Sequence, residues 1–271
     1  MRCYQVLTGA CNTSNKCYAV GSVEGIPFSA YGSGSNIVIL AVSFERVQII
    51  PASDDAAVGC IDCSNDTGII AAAYGRKIVY FEPSPLPLQN TPHKLDYWWV
   101  EKFIFGVDFP VHSLEFNRDG TRLLIGGEQI QLWKGNLSYR DSSLGESRNK
   151  SKKVSFDVGD ESEGSDDSGN NNEGTEILPR WVCAWRSPVF DETVSHLAFS
   201  ADGSYFASCE SDDHLVRVWF EDICLNFVVE EGDHTAKAHS QKCSLSFSYI
   251  LLGHPAPVTS LSWRATSKYM P

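Results

Sequence analysis

Ser208, Asp213 and His254 are the residue types of a nucleophilic triad. Such a triad needs a base aimed at the serine and a site that receives the developing oxyanion. The chain has no Gly-x-Ser-x-Gly elbow and no loop suited to an oxyanion, so no acyl-transfer centre is specified. Cys60-Ile61-Asp62-Cys63 is its one Cys-x-x-Cys. A zinc site would want a second such pair, and a three-residue offset on a strand sends the two thiols to opposite faces. His234 and His239 sit in a polar loop with no cysteine or carboxylate pattern that specifies a metal. Gly32-Ser33-Gly34 leads into a strand rather than a helix and lacks the context that cradles phosphate. Tyr97-Trp98-Trp99, with Phe103 and Phe105, offers rings for base stacking, but only Lys94 and Lys102 stand near to meet a backbone phosphate. These residues predict no catalytic site, no cofactor and no metal.

The elements that carry them repeat. VSHLAFSADGSYFASCESDDHLVRVWF (194–220) and VHSLEFNRDGTRLLIGGEQIQLW (111–133) share Val194/Val111, Leu197/Leu114, Phe199/Phe116, Asp202/Asp119 and Gly203/Gly120 without a gap. The closing tryptophans, Trp219 and Trp133, match after a three-residue gap. A third copy is VGCIDCSNDTGIIAAAYGRKIVYF (58–81), a fourth begins at VTSLSW (258–263), and a weaker one shows in FSAYGSGSNIVIL (28–40). Each copy reads as apolar alternation, turn, small-residue alternation, polar turn and a third alternation ending in an aromatic. Fourth strands are predicted at Arg46–Ile50, Leu95–Phe105, Leu178–Trp185 and Ser246–Leu252.

Repeating four-stranded antiparallel units are the signature of an all-β, WD40-type β-propeller. The prediction is an incomplete one: about four blades plus the first strand of another, with residues 3–7 as a closing outer strand for a further blade. One domain spans 1–271. Ser208, Asp213 and Trp219 then have the spacing of the structural network that ties strands within such a blade. Its histidine partner, from a Gly-His pair ahead of a first strand, is missing before Val194 and present as Gly253-His254 before Val258. Asp119-Gly120 and Asp202-Gly203 are expected at blade turns.

The starts at Val58, Val111, Val194 and Val258 lie 53, 83 and 64 residues apart, where about 40–45 would make a blade. The surplus falls in the third-to-fourth-strand connections, about 82–94, 134–177 and 221–243, so one face carries every long insertion. Long loops on a rigid scaffold are where binding resides. The longest contains a Ser/Gly/Asn-rich acidic stretch, 141–176, too polar and charged to order itself, which reads as a disordered insertion.

Lys and Arg number 22 against 34 Asp and Glu, a net charge of −12, and eight of the acids lie in residues 157–176. The remainder is close to balanced, which disfavours a nucleic-acid partner. No apolar run approaches membrane-span length, and the start has no signal-peptide core. Nine scattered cysteines suit a reducing compartment. A cytoplasmic location is the expectation.

YQVLTGACN (4–12), CYAVGSVEGIPFSAYGSGSNIVIL (17–40), VQIIP (47–51), VGCIDCS (58–64) and LSWRATSKYMP (261–271) resemble the amino-terminal WD40 region of the DmX-like proteins. These are also called the rabconnectin alpha family and are related to the large subunit of the RAVE complex. The resemblance implies a non-catalytic scaffold that assists assembly and regulation of the vacuolar-type proton pump (V-ATPase), and so vacuolar, endosomal, lysosomal and synaptic-vesicle acidification. The partners it implies are the pump's peripheral sector, a rabconnectin beta-like WD protein and, in neurons, regulators of Rab3. The location it implies is cytoplasmic and peripheral on endosomal and synaptic-vesicle membranes, through those partners and without a transmembrane segment. Family members are far longer, so the chain reads as a fragment. The alternative reading keeps the propeller as an adaptor of another assembly, a trafficking coat or a ubiquitin ligase.

Overall fold

The computed structural model describes residues 9–14, 16–52, 55–87, 95–135, 181–222 and 245–264. The acidic stretch 141–176, residues 3–7, residues 178–180 of one predicted fourth strand, His234, His239 and residues 265–271 lie outside the described residues. Gly135–Trp181 separates as a unit of its own, nearly all of it outside the described residues. The other unit, 1–134 with 182–271, holds the sheets, but for Gly135 and Trp181 at the ends of two strands.

The described residues form four four-stranded sheets, none closed on itself. The first holds β1 (Tyr18–Val23), β2 (Ile26–Ser33), β3 (Asn36–Ala41) and β4 (Arg46–Ile50). The second holds β5 (Cys60–Cys63), β6 (Ile70–Tyr74), β7 (Lys77–Pro85) and β8 (Tyr97–Gly106). The third holds β9 (Ser113–Phe116), β10 (Arg122–Gly126), β11 (Ile130–Gly135) and β12 (Trp181–Arg186). The fourth holds β13 (Val194–Phe199), β14 (Tyr205–Glu210), β15 (Leu215–Glu221) and β16 (Phe247–Gly253). Within each sheet the strands lie in chain order, as antiparallel meanders. This is the architecture of an incomplete WD40 β-propeller, and the predicted fourth strands fall within three residues of β4, β8, β12 and β16.

Burial falls from first to fourth strand in the second, third and fourth sheets, whereas in the first sheet β2 and β3 are better covered than β1. In the third, Ser113–Phe116 of β9 is almost wholly covered, while β12 is exposed or half-buried after its first residue. The first strands also touch one another, β1 against β5, β5 against β9 and β9 against β13. The composition accounts for this. β6, Ile-Ala-Ala-Ala-Tyr, is buried throughout, and its alanines let neighbouring sheets approach closely. β8 and β16 carry long side chains on a less covered surface.

Aromatic and amide contacts join neighbouring blades. Gln48 of β4 and Trp99 of β8 exchange two buried bonds: Gln48 Nε2 donates to the Trp99 carbonyl at 2.9 Å, and the Trp99 N–H donates to Gln48 Oε1 at 2.7 Å. The Trp99 indole donates to the Gly68 carbonyl at 2.7 Å and lies 4.6 Å from the Phe28 ring. Between the third and fourth blades, Trp185 meets Trp219 at 5.4 Å and Phe247 at 4.8 Å.

The weak sequence copy at 28–40 is β2 and β3 of a full blade, with β1 ahead of it. Residues 258–264 form no ladder, having no strand beside them to complete one among the described residues. They are nevertheless fastened to the fourth blade. The Val258 N–H donates to the Asp213 carbonyl at 2.9 Å, and the Trp263 indole to the Ala198 carbonyl at 2.9 Å.

Candidate interaction surface and the inner-strand charge cluster

In an antiparallel meander, first-to-second and third-to-fourth connections emerge on one face, and the other connections on the opposite face. β7 and β15 therefore end on the face that carries the β9–β10 and β13–β14 turns. A cleft of about 720 Å³ opens there between the third and fourth blades. Its walls include Asp119, Arg122, Asp202, Tyr205, Phe220 and Glu221. Phe220 and Glu221 lead into the β15–β16 connection, so the cleft sits at the root of one long insertion.

The predicted turn residues form its edge. Gly120 and Gly203 hold φ of 73° and 72°, a left-handed backbone that costs glycine little. Asp119 Oδ1 accepts the Thr121 N–H at 2.9 Å, and Asp202 Oδ1 accepts the Ser204 N–H at 3.1 Å. The Ser200 hydroxyl, then the Ser204 amide and hydroxyl, hold the Asp202 carboxyl below its ordinary range. Burial works the other way at Asp119, but the Thr121 hydroxyl and amide outweigh it and its carboxyl is also lowered.

The structure brings Ser208 and Trp219 together: the buried indole donates to the Ser208 hydroxyl at 2.9 Å. Asp213 and His254 lie apart from that pair. Asp213 Oδ1 accepts the N–H groups of His214 and Leu215, at 2.7 and 3.2 Å, and so shapes its own turn. The His254 N–H donates to the His214 carbonyl at 2.8 Å, and its ring nitrogen Nδ1 meets the Ala256 carbonyl at 2.8 Å.

Sequence reading missed a charge cluster on the inner strands. Lys16 Nζ donates to Glu115 Oε2 at 2.9 Å and to the Leu197 carbonyl at 3.4 Å. The Phe116 N–H donates to Asp62 Oδ2 at 2.6 Å. Desolvation, then the Glu115 charge, pushes the Asp62 carboxyl well up. Desolvation also raises Glu115 against the pull of Lys16. A signal was present: Asp62 and Glu115 occupy the same position in two aligned copies, an acid inside an otherwise apolar strand. Lys16 carries no local signal, because its partners are 46 and 99 residues away in sequence.

On β13, His196 is buried between the Ser195 hydroxyl, 2.7 Å from Nδ1, and the Thr259 carbonyl, 2.8 Å from Nε2. A carbonyl only accepts, so Nε2 carries the proton and the neutral ring takes the serine proton at Nδ1. Burial, aided by the Lys16 charge, lowers its pKa and favours that neutral form. The Cys60-x-x-Cys63 thiols are both buried, and desolvation raises both. No group of three or more metal-ligating side chains converges among the described residues. No helix among them is long and apolar enough to cross a membrane.

The family model described as "WD domain, G-beta repeat" matches residues 186–219. DmX-like protein 1 of Homo sapiens is 36% identical over the whole chain, and that of Mus musculus 37%. The chain spans about 8% of the length of each. "Regulator of V-ATPase in vacuolar membrane protein 1" of Saccharomyces cerevisiae is 30% identical over 105 residues, 39% of this chain and 7% of that protein. The chain is a WD40-repeat region, homologous over its whole length to DmX-like protein 1.

Proposed function

We propose that this region is a protein-binding platform in the assembly and regulation of the vacuolar-type proton pump, and hence in vesicle and endosome or lysosome acidification. The observation that carries the reading is the match to the yeast protein whose name states regulation of the V-ATPase. It is supported by whole-length similarity to DmX-like protein 1 and by a rigid meander scaffold. The proposed partners are the pump's peripheral sector, a second WD protein of the rabconnectin beta kind and, in neurons, Rab3 regulators. They would hold the chain at endosomal and synaptic-vesicle membranes from the cytoplasmic side.

The contact surface in this reading is the face with the long connections and the cleft beside Tyr205 and Phe220. The Ser208–Trp219 pair and the Asp119-Gly120 and Asp202-Gly203 turns serve to stiffen it and take part in no chemistry. Affinity capture with the tagged chain is expected to recover peripheral-sector subunits. Replacing 88–94 and 223–243, which leaves β7, β8, β15 and β16 whole, with short turns is expected to weaken that recovery while the fold stays intact. Recovery of coat or ubiquitin-ligase subunits in their place would overturn the proposal, and unchanged capture by the graft would move the contact to the opposite face.

A further inference from the structure

Lys16, Asp62 and Glu115 do more than fill space between blades. Lys16 stands just ahead of β1, and its carbonyl accepts the Ile61 N–H of β5 at 2.6 Å. Its ammonium reaches Glu115 of β9 and the Leu197 carbonyl of β13. Asp62 of β5 holds the backbone of β9. Through these bonds Lys16 links the first blade to each of the other three, by its carbonyl to the second and its ammonium to the third and fourth, and Asp62 links the second to the third.

The charges do not balance. Two carboxyls face one ammonium. The other titratable groups that feel these charges are the Cys60 and Cys63 thiols and His196, all of which burial keeps uncharged. With both acids ionised the cluster carries one uncompensated negative charge in a poorly hydrated place, which is costly. Protonation of one of the two carboxyls removes that cost. Side-chain exposures of 26% for Lys16 and 23% for Glu115 leave water a route by which the proton can come and go.

We propose that the Lys16–Asp62–Glu115 cluster is a proton-responsive tie between the inner strands, tight when one of its two carboxyls is protonated and looser when both are ionised. The raised carboxyls fix the sign: a group whose folded pKa is raised stabilises fully below its unfolded value, and that stabilisation fades as pH rises through the folded value. The tie therefore weakens with increasing pH, above the ordinary carboxyl range. It is independent of the proposed partners.

The test is thermal unfolding of the 271-residue chain between about pH 4 and pH 9, with Asp62→Asn and Lys16→Met beside the parent. Asparagine still accepts the Phe116 N–H through its oxygen but cannot ionise. Relative to the parent, Asp62→Asn is expected to gain about 3 °C in Tm across that range, and Lys16→Met to lose Tm more steeply as pH rises. The same pH dependence in all three proteins overturns the proposal. Should either variant fail to fold, carboxyl-carbon NMR of the parent decides. Titration of Asp62 and Glu115 near about pH 4 overturns the tie, and titration above that range supports it.

Discussion

Cys60, Cys63 and Cys209 are buried, whereas Cys11 is exposed. Desolvation raises the first two thiols, and with the nearby acids Asp213 and Glu210 it pushes Cys209 up to about 11. Since the thiolate is the reactive form, these three are packing groups of low reactivity. Alkylation at about pH 8, followed by peptide mass spectrometry, is expected to modify Cys11 at least about a hundredfold faster than Cys60, Cys63 or Cys209 in the folded protein. Comparable rates would mean that the inner strands are open to solvent. At this scale the sequence is legible for the thiols, whose offset on one strand and lack of a second pair argue against metal. It is not legible for Asp213, because spacing gives a residue's place along the strand and leaves open which backbone groups its carboxylate meets.

Strand by strand, cohesion comes from a few seams, and the one between β4 and β8 is the most economical. One amide, Gln48, satisfies both the N–H and the carbonyl of Trp99, and all of these atoms are buried. Gln48→Ala would leave two backbone groups unpaired in a dry seam. The expected loss is on the order of 2–4 kcal/mol, measured as a lower denaturant midpoint. A loss within about 0.5 kcal/mol, the range of ordinary surface substitutions, would place the seam in water instead. The meander itself is readable from alternation, turn residues and closing aromatics, and these locate the fourth strands closely. The seam is not readable, because Gln48 and Trp99 belong to different repeats and a polar residue on an outer strand looks solvent-facing until its neighbour is known. The same holds for Lys16. Asp62 and Glu115 differ: their shared position in two repeats is visible in the sequence, but which backbone or ammonium each carboxylate meets is set by the neighbouring blade.

For the molecule as a whole, direction is decisive. The first strands of the second, third and fourth blades are covered and their fourth strands are not, so the covered strands hold the array together. Blade-scale burial, the inter-strand contacts of β1, β5, β9 and β13, and the carboxylate ties all follow from that order. Backbone hydrogen exchange of the native chain, resolved by peptide, measures it directly. Protection is expected to be highest at Cys60–Cys63, Ser113–Phe116 and Val194–Phe199 and to fall through each sheet to Tyr97–Gly106 and Phe247–Gly253. Equal protection from first to fourth strand, or a gradient running the other way, would contradict the account.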